Sequence, residues 1–218
     1  MITQSNSSGA LFKCPFVVGL TGGIASGKST VSHYLAEQHA IPVIDTDSIA
    51  RQLVQPHSDT LAQIVQYFGA QMVDEEGNLK RQALRNIIAI DTEKRAWLNA
   101  LMHPLISECV TQQLTHLSHS LTPYVLVVIP LLKPGSHYLK QLNHVLVVDC
   151  NEDQQKKRLM IRDSMEAKVA QAIIKAQPSR AERAAIANSL LVNEGELTQL
   201  IDQAENWHQY IMSFATSS

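Results

Sequence analysis

The sequence has few of the features that would place it in a membrane, in a disulfide-bonded scaffold or on nucleic acid. No stretch of its 218 residues approaches the roughly 20 apolar residues of a membrane span, and the longest apolar run, at 125–132, contains Pro130. The three cysteines are odd in number and lack paired or metal-ligand spacing, so we expect reduced thiols. The formal net charge is −2, with scattered Lys and Arg. These absences favour a cytoplasmic protein with neither membrane nor nucleic acid as partner.

The start of the chain differs in composition from the remainder. Residues 1–15 are rich in Ser, Thr and Asn but lack a basic start and a long apolar region, so we expect a flexible extension rather than a secretion signal. Residues 16–218 contain no internal repeat and no low-complexity linker. The sequence therefore predicts a single domain over 16–218.

Apolar runs alternate with segments of helical spacing, which predicts an α/β fold with a parallel sheet covered on both faces. The predicted strands are 16–20, 42–45, 124–129, 144–149 and, with a weaker pattern, 190–192. The predicted helices are 28–39, 47–55, 60–68, 81–89, 93–117, 152–162, 165–176 and 197–214. Because the gap between the second and third strands is far longer than one crossover needs, we expect a helical insertion at about 51–120 that could bind a substrate.

The strongest motif is a phosphate-binding loop (P-loop). GGIASGKS at 22–29 fits G-x-x-x-x-G-K-[ST] and stands between the apolar run FVVGL and a segment of helical spacing. Glycines let backbone N–H groups surround phosphate oxygens, and the helix N-terminus adds partial positive charge. Lys28 would neutralise the β- and γ-phosphates, and Ser29 would ligate Mg²⁺. The residues expected to hold the nucleotide phosphates are Gly22, Gly23, Ile24, Ala25, Ser26, Gly27, Lys28, Ser29 and Thr30.

Three classes of P-loop protein compete: small-molecule kinases, switch GTPases, and motor or transport ATPases. The strand at 144–149 is followed by NEDQ at 151–154 rather than by the guanine-reading N-K-x-D. The run at 125–129 ends without the acidic residue of most motor and transport ATPases. Both observations favour a compact ATP-dependent kinase.

Two carboxylates end the second predicted strand, in Asp45-Thr46-Asp47. Ligands of open α/β sheets bind at the carboxyl edge, so these side chains are expected beside the P-loop. A carboxylate there can accept the proton of an attacking hydroxyl or hold magnesium-bound water, and Asp is also a favoured helix N-cap. We expect one carboxylate to cap the following helix and the other to serve the reaction.

Taken together, these segments resemble the dephospho-coenzyme A kinase family over nearly the whole chain, from about residue 17 to 214. The matching pieces are GLTGGIASGKST at 19–30, VIDTDSIAR at 43–51, LNALMHPLI at 98–106, PLL at 130–132, KRLMIRD at 157–163, Ala176-Gln177 and Asn193. Several such pieces in the same order are more specific than the P-loop alone.

The resemblance implies transfer of the γ-phosphoryl group of ATP to the 3′-hydroxyl of the ribose of dephospho-CoA, the last step of CoA synthesis, with ATP and Mg²⁺ bound. It implies a three-layer P-loop nucleoside-triphosphate hydrolase fold with a core of 16–50, 121–151 and 181–218 and a lid at about 152–180. We expect a monomer or a weak homo-oligomer.

The resemblance also implies roles for particular residues. Asp47 matches the general base of the family, and Lys28 serves catalysis through the phosphates. Asp45 and Arg51 match positions near the acceptor. Arg158 matches a lid arginine that closes over the phosphates, since a guanidinium suits the charge of the transition state.

Four further residues are candidates on the same ground. Arg162 is a weaker candidate for the same role as Arg158, which is to contact the nucleotide phosphates. His103 of the His-Pro pair either contacts the acceptor or satisfies a buried hydrogen bond. Gln177 and Asn193 match positions expected to bind substrate.

The chain departs from the family pattern in two places. Lys133-Pro134-Gly135 stands where a glutamate is usual, and Asn188-Ser189 stands where acidic residues are usual. We expect these changes to remove negative charge near the acceptor or adenine end of the site. They keep two alternatives open: a kinase of another small hydroxyl acceptor such as a nucleoside, and a nucleotide-binding regulator that has lost transfer activity.

Overall fold

The computed structural model describes residues 15–117 and 122–215. The predicted N-terminal extension lies outside the described residues except for Pro15. The strands are β1 (Phe16–Gly22), β2 (Val43–Asp45), β3 (Tyr124–Val128), β4 (His144–Asp149) and β5 (Ser189–Val192). The helices are α1 (Lys28–His39), α2 (Thr46–Leu53), α3 (Asp59–Phe68), α4 (Arg81–Ile90), α5 (Thr92–Leu117), α6 (Glu152–Asp163), α7 (Ala167–Lys175), α8 (Arg180–Ala185) and α9 (Leu197–Ala215).

The predicted five-stranded parallel sheet is confirmed. Its strand order is β2-β3-β1-β4-β5, and every neighbouring pair is parallel. The central strand β1 pairs with β3 from Phe16 opposite Tyr124 and with β4 from Val18 opposite His144. Because the strands are parallel, the loops after β1, β2, β3 and β4 leave the sheet at one edge, where ligands of such sheets bind.

Alternate residues of the strands build a core on each face of the sheet. Leu20, Leu126 and Leu146 point to one face, where Leu35 of α1 and Trp207 of α9 pack against them. The opposite face is covered mainly by α5, and its core contains Val17, Val125, Val127, Val145, Val147, Ile106 and Val110. The sheet is thus the middle layer of three, which accounts for its continuous apolar strands.

The segment between β2 and β3 is helical, and α3, α4 and α5 share a separate apolar cluster. Ile64, Phe68 and Leu84 are buried there, and Trp97 and Leu101 of α5 pack against them. Helix α5 passes through Pro104, which has no N–H to donate to the carbonyl of Ala100. The cluster positions α4 beside α2 and therefore beside the edge of the sheet.

Helices α6 and α7 pack on each other over the P-loop through a small cluster of Leu159, Ala170 and Ile174. The sequence analysis assigns no helix between residues 176 and 190, and this is wrong, because α8 lies there. Ser179 and Glu182 begin that helix with a complete capping box. In the described parts of the chain, no helix combines the length and apolar character of a membrane span.

Candidate active site

The P-loop joins β1 to α1, and two of its glycines are required by shape. Gly27, at the N-cap of α1, has φ 105, and a Cβ added there would lie 2.5 Å from Asn193 Nδ2. A Cβ added at Gly22 would lie 2.3 Å from the carbonyl oxygen of Val148 on β4. Any larger residue at either position would push the loop away from the strand or the amide behind it.

Ala25 lies at the tip of the loop in the left-handed region, with φ 55. Glycine adopts this conformation freely, whereas an L-residue pays about 1–2 kcal/mol. This backbone conformation explains why glycine suits the position of Ala25.

Lys28 points back along the loop. Its Nζ donates to the carbonyl oxygens of Gly22 and Gly23, both at 2.8 Å. Burial, and after it the positive charge of Arg183, lowers the pKa of Lys28 to about 8, while the negative charge of Asp47 opposes this shift. The ammonium group is therefore held at the centre of the loop, where burial and Arg183 on balance disfavour its charge and an anion would stabilise it.

The two acidic residues after β2 have different surroundings. Asp45 is the N-cap of α2, and its Oδ1 accepts from the backbone N–H of Asp47 at 2.9 Å and of Ser48 at 3.4 Å. Thr46 is buried between them and donates from Oγ1 to the carbonyl oxygen of Val128 at 2.9 Å, which fixes the start of α2 to the end of β3.

Asp47 is exposed, and its carboxylate accepts no hydrogen bond from the residues that the structure describes. Partial desolvation of the carboxylate by the surrounding protein, and after it the negative charge of Asp45, raises the pKa of Asp47. The positive charges of Arg51, Lys28 and Arg85 lower it. A carboxylate with an elevated pKa beside the P-loop lysine is a suitable proton acceptor.

Basic side chains of α2 and α4 surround this acid. Arg51 and Arg85 both act electrostatically on Asp47, and Arg81 Nη2 donates to the carbonyl oxygen of Arg51 at 3.4 Å. The sequence analysis names Arg51 but misses Arg85, because no local pattern shows that α4 folds back to α2. The three arginines make this side of the site suitable for an anionic substrate.

Asn193 and Arg158 lie behind the P-loop and hold it. The buried amide of Asn193 donates from Nδ2 to the carbonyl oxygen of Ser26 at 2.7 Å and accepts at Oδ1 from Arg158 Nη2 at 3.0 Å. Arg158 Nη1 donates to the carbonyl oxygen of Ala25 at 3.3 Å. Both polar atoms of the Asn193 amide are thus occupied by the protein, and its predicted contact with substrate stays a prediction.

Gln177, also predicted to bind substrate, lies on the loop as well. Its Oε1 accepts from the backbone N–H of Ile24 at 2.8 Å. Gln155, which the sequence analysis does not name, is buried beneath Gly23 and donates from Nε2 to the carbonyl oxygen of Cys150 at 2.7 Å. Gln177, which follows α7, therefore holds the first half of the loop by a hydrogen bond, and Gln155 of α6 lies against it at Gly23.

The remaining candidates lie at the periphery. Arg162 forms two hydrogen bonds with Asp163, at 2.8 and 2.7 Å, and still lowers the pKa of Lys28 through its charge. His103 is exposed on α5, 5.9 Å from the ring of His137, and partial desolvation of its imidazole lowers its pKa, with smaller effects of His137 and Lys133. The structure brings Lys133 close to His103.

The expectation that Asn188 and Ser189 remove negative charge near the acceptor or adenine end of the site is wrong. Asn188 Oδ1 accepts from the backbone N–H of Val145 at 2.8 Å, and Ser189 Oγ is 2.9 Å from His144 Nε2. His144 and Ser189 begin β4 and β5, so Asn188 and Ser189 lie at the amino edge of the sheet, opposite the P-loop. The expected and observed positions differ because the register of the parallel strands decides at which edge these residues lie. Sequence spacing alone does not reveal that register.

The donor groups at the carboxyl edge fit a nucleotide-bound Mg²⁺. Within residues 15–117 and 122–215, no group of three or more His, Cys, Asp or Glu is arranged to hold a metal ion. Mg²⁺ in such sites takes one or two protein ligands and completes its shell with phosphates and water. Ser29 is exposed in the first turn of α1, and Asp47 lies at the same edge.

This combination of sheet order, P-loop after the central strand and helical insertion after β2 defines a P-loop kinase. The sequence model of the family described as dephospho-CoA kinase matches residues 16–199. The chain belongs to the dephospho-CoA kinase family.

Individual relatives agree with that assignment. A dephospho-CoA kinase from Vibrio vulnificus (strain CMCP6) is 43% identical over 200 residues, which cover 91% of this chain and 96% of the relative. The crystal structure of TT1252 from Thermus thermophilus superposes with a TM-score of 0.79 at 28% identity, covering 91% of this chain and 98% of that one. A dephospho-CoA kinase from Campylobacter jejuni has the same fold, with a TM-score of 0.68 at 23% identity over 90% of this chain and 97% of its own.

Proposed function

We propose that this protein transfers the γ-phosphoryl group of ATP to the 3′-hydroxyl of the ribose of dephospho-CoA and so makes CoA, the last step of CoA synthesis. Membership of the dephospho-CoA kinase family over residues 16–199 is the observation that carries this proposal. The acid-and-lysine pair of Asp47 and Lys28 at the carboxyl edge of the sheet supports it, because phosphoryl transfer needs a proton acceptor and a phosphate-binding cation together.

The P-loop would hold ATP through its backbone N–H groups and through Lys28, whose Nζ would exchange the carbonyl oxygens of Gly22 and Gly23 for phosphate oxygens. The hydroxyl of Ser29 would hold Mg²⁺. The bound ion would supply positive charge that offsets the negative charge developing during transfer.

Asp47 would act as the general base. The 3′-oxygen attacks the γ-phosphorus, the bond from that phosphorus to the β,γ-bridging oxygen breaks, ADP leaves, and the hydroxyl proton passes to the Asp47 carboxylate. Asp45 is less suited to this role, because its Oδ1 already accepts two backbone hydrogen bonds.

Dephospho-CoA carries a diphosphate, and basic side chains surround the proposed base. Arg51 and Arg85 are the arginines that act on Asp47, so we assign them to the acceptor phosphates. His103 and Asp45 remain candidate acceptor contacts. Arg158 and Arg162 would act on the nucleotide, with the lid excluding water that would otherwise hydrolyse ATP.

An acceptor panel tests the substrate. The wild-type protein is incubated with Mg²⁺-ATP and either dephospho-CoA, adenosine, another nucleoside or shikimate, and the products are separated and identified by mass spectrometry and phosphorus NMR. We expect ADP and a 3′-phosphorylated product from dephospho-CoA alone. A nucleoside phosphorylated faster than dephospho-CoA, or a product phosphorylated at another hydroxyl, would overturn the proposal.

A further inference from the structure

Arg183 is a buried cation that the sequence analysis does not identify. It belongs to α8, and only 6% of its surface is exposed. Its Nη1 donates to the carbonyl oxygen of Pro178, whereas its Nε is buried without a hydrogen-bond partner among the described residues. An arginine has five N–H donors, and burying one of them unpaired is costly.

Within residues 15–117 and 122–215, no acidic residue forms an ion pair with this guanidinium. Asp149, Glu152 and Glu182 are near enough to act on Arg183, but none of them forms an ion pair with it in the described part of the chain. Asp149 is paired instead with Arg180, whose Nε and Nη2 lie 2.6 and 2.5 Å from its Oδ2. Arg180 also pairs with Glu194 at 3.1 Å, so the two arginines of one helix differ in having or lacking an anionic partner.

Arg183 lines a cavity of about 210 Å³, whose lining also includes the oppositely charged Glu152 and Arg180. Gln155 and Gln177 line the same cavity. Gln177 accepts from the backbone N–H of Ile24 at 2.8 Å, and a Cβ added at Gly23 would lie 2.8 Å from Gln155 Nε2. The cavity is therefore next to the first half of the loop, at Gly23 and Ile24.

Lys28 has a second cation, Arg183, among its charged neighbours. After burial, the positive charge of Arg183 is the largest effect that lowers the pKa of Lys28. Two such cations, one of them buried and without an ion pair in the described part of the chain, would be stabilised by an anion that lies between them. In P-loop proteins the α- and β-phosphates lie on the backbone N–H groups of the loop and helix, and the lysine reaches towards the γ-phosphate.

We propose that Arg183 is a catalytic residue whose guanidinium binds the γ-phosphate of ATP from the cavity side of the P-loop, opposite the acid pair of Asp45 and Asp47. The inference deepens the proposed function, on which it rests for the identity of the transfer reaction. Binding of the γ-phosphate does not depend on the acceptor, so the role of Arg183 and the proposed phosphorylation of dephospho-CoA can fail separately.

The test is the affinity of the full-length protein for Mg²⁺-ATP and Mg²⁺-ADP, measured by titration calorimetry without any acceptor. Arg183→Met keeps an unbranched apolar stem and removes the charge, and Arg183→Gln removes the charge but keeps a polar end. Both are expected to bind ATP about ten- to hundredfold more weakly and ADP within threefold of the wild type. Arg180→Met is the matched control, because it removes a partnered guanidinium from the same helix.

Thermal unfolding of the nucleotide-free proteins separates a ligand-binding arginine from a structural one. The neutral Arg183 variants are expected to unfold at the wild-type temperature or above it, because a buried charge without its own counter-ion is removed. Arg180→Met is expected to unfold at a lower temperature, because it leaves Asp149 buried and unpaired, and to keep the ATP-to-ADP affinity ratio within threefold.

Each outcome decides the proposal. A neutral Arg183 variant that fails to fold or unfolds at a lower temperature would assign Arg183 to the structure, and equal losses of ATP and ADP affinity, or no loss, would remove it from the γ-phosphate. Nucleotide affinities that behave as expected in a protein that does not phosphorylate dephospho-CoA would overturn the proposed substrate and leave the role of Arg183 standing.

Discussion

The carboxylate of Asp45 accepts a hydrogen bond from the backbone N–H of Asp47 at 2.9 Å, so two acids two residues apart are given different roles by one short turn. Asp45 caps α2, and by doing so it holds Asp47 at the start of the helix with its side chain exposed beside the P-loop. Its negative charge also raises the pKa of Asp47, which adjusts the basicity of the proposed base.

This relationship predicts opposite pH shifts from two neutral substitutions. Asp45→Asn keeps an N-cap of equal quality but removes the negative charge, so the pKa of Asp47 falls and the acid limb of kcat moves to lower pH. Arg51→Gln removes a positive charge, so the same limb moves to higher pH. The measurement is kcat at saturating substrates from pH 4.5 to 8. Shifts in the same direction, or no shift in either variant, would exclude Asp47 as the group that titrates.

The lowered pKa of Lys28 predicts that ATP binding weakens in alkali. Above about pH 8 the free protein loses the ammonium proton that the phosphates need, so the dissociation constant of ATP should rise about tenfold for each further pH unit. Lys28→Arg keeps its charge at every pH used and should show a flat profile, although its affinity is lower at pH 7. Titration calorimetry from pH 7 to 9.5 checks this. A wild-type profile as flat as that of Lys28→Arg would contradict the account.

Asn193→Ala is expected to loosen the P-loop rather than the acceptor site. The substitution leaves the carbonyl oxygen of Ser26 without its side-chain donor and removes one acceptor of Arg158 Nη2, which costs about 1–3 kcal/mol of stability and weakens ATP and ADP binding alike. The KM for dephospho-CoA should change less than the affinity for ATP. Asn188→Ala is the control, because it removes a similar amide-to-backbone bond at the amino edge of the sheet. If Asn193→Ala raises only the KM for dephospho-CoA, Asn193 binds the acceptor.

Helices α1 and α9 are joined by a cluster around Glu205 that predicts a loss of stability in acid. Hydrogen bonds from Gln209, His39 and Tyr34 lower the pKa of Glu205 to about 2. A carboxylate whose pKa is lower in the folded state stabilises above its unfolded value of about 4.5 and loses that contribution as the pH falls towards 2.

The melting temperatures of wild type and Glu205→Gln, measured from pH 7 to pH 3, test that cluster. They should differ most at neutral pH and converge in acid. Glu37→Gln, an exposed position on α1, should follow the wild type at every pH. A constant difference across the range would show that the hydrogen bonds of Glu205 do not depend on its charge.

Local signals were sufficient for the sheet and for the motifs. The apolar runs predicted all five strands, and the G-x-x-x-x-G-K-S pattern predicted a loop between β1 and α1, because both depend on residues close together in the chain. Helix α8 also had a local signal, since Ser179 and Glu182 form the S-x-x-E pattern of a capping box, but the interpretation overlooked it.

Contacts between distant parts of the chain were beyond such signals. Asn193 is 167 residues from Ser26, and Gln177 is 153 residues from Ile24, so only the folded sheet brings them to the P-loop. The same holds for Arg183, whose importance depends on its burial and on its missing partner, neither of which is visible in RAER. The amino-edge position of Asn188 likewise follows from strand register alone.

The most direct test of the account is ADP release coupled to dephospho-CoA in the wild type, Lys28→Ala and Asp47→Asn. The wild type should release one ADP for each dephospho-CoA consumed and almost none without it. Both variants should lose on the order of a thousandfold or more in kcat/KM, with circular dichroism spectra unchanged, because positioning and charge supply most phosphoryl-transfer catalysis. ADP release that does not require dephospho-CoA, or an Asp47→Asn variant as active as the wild type, would contradict the account.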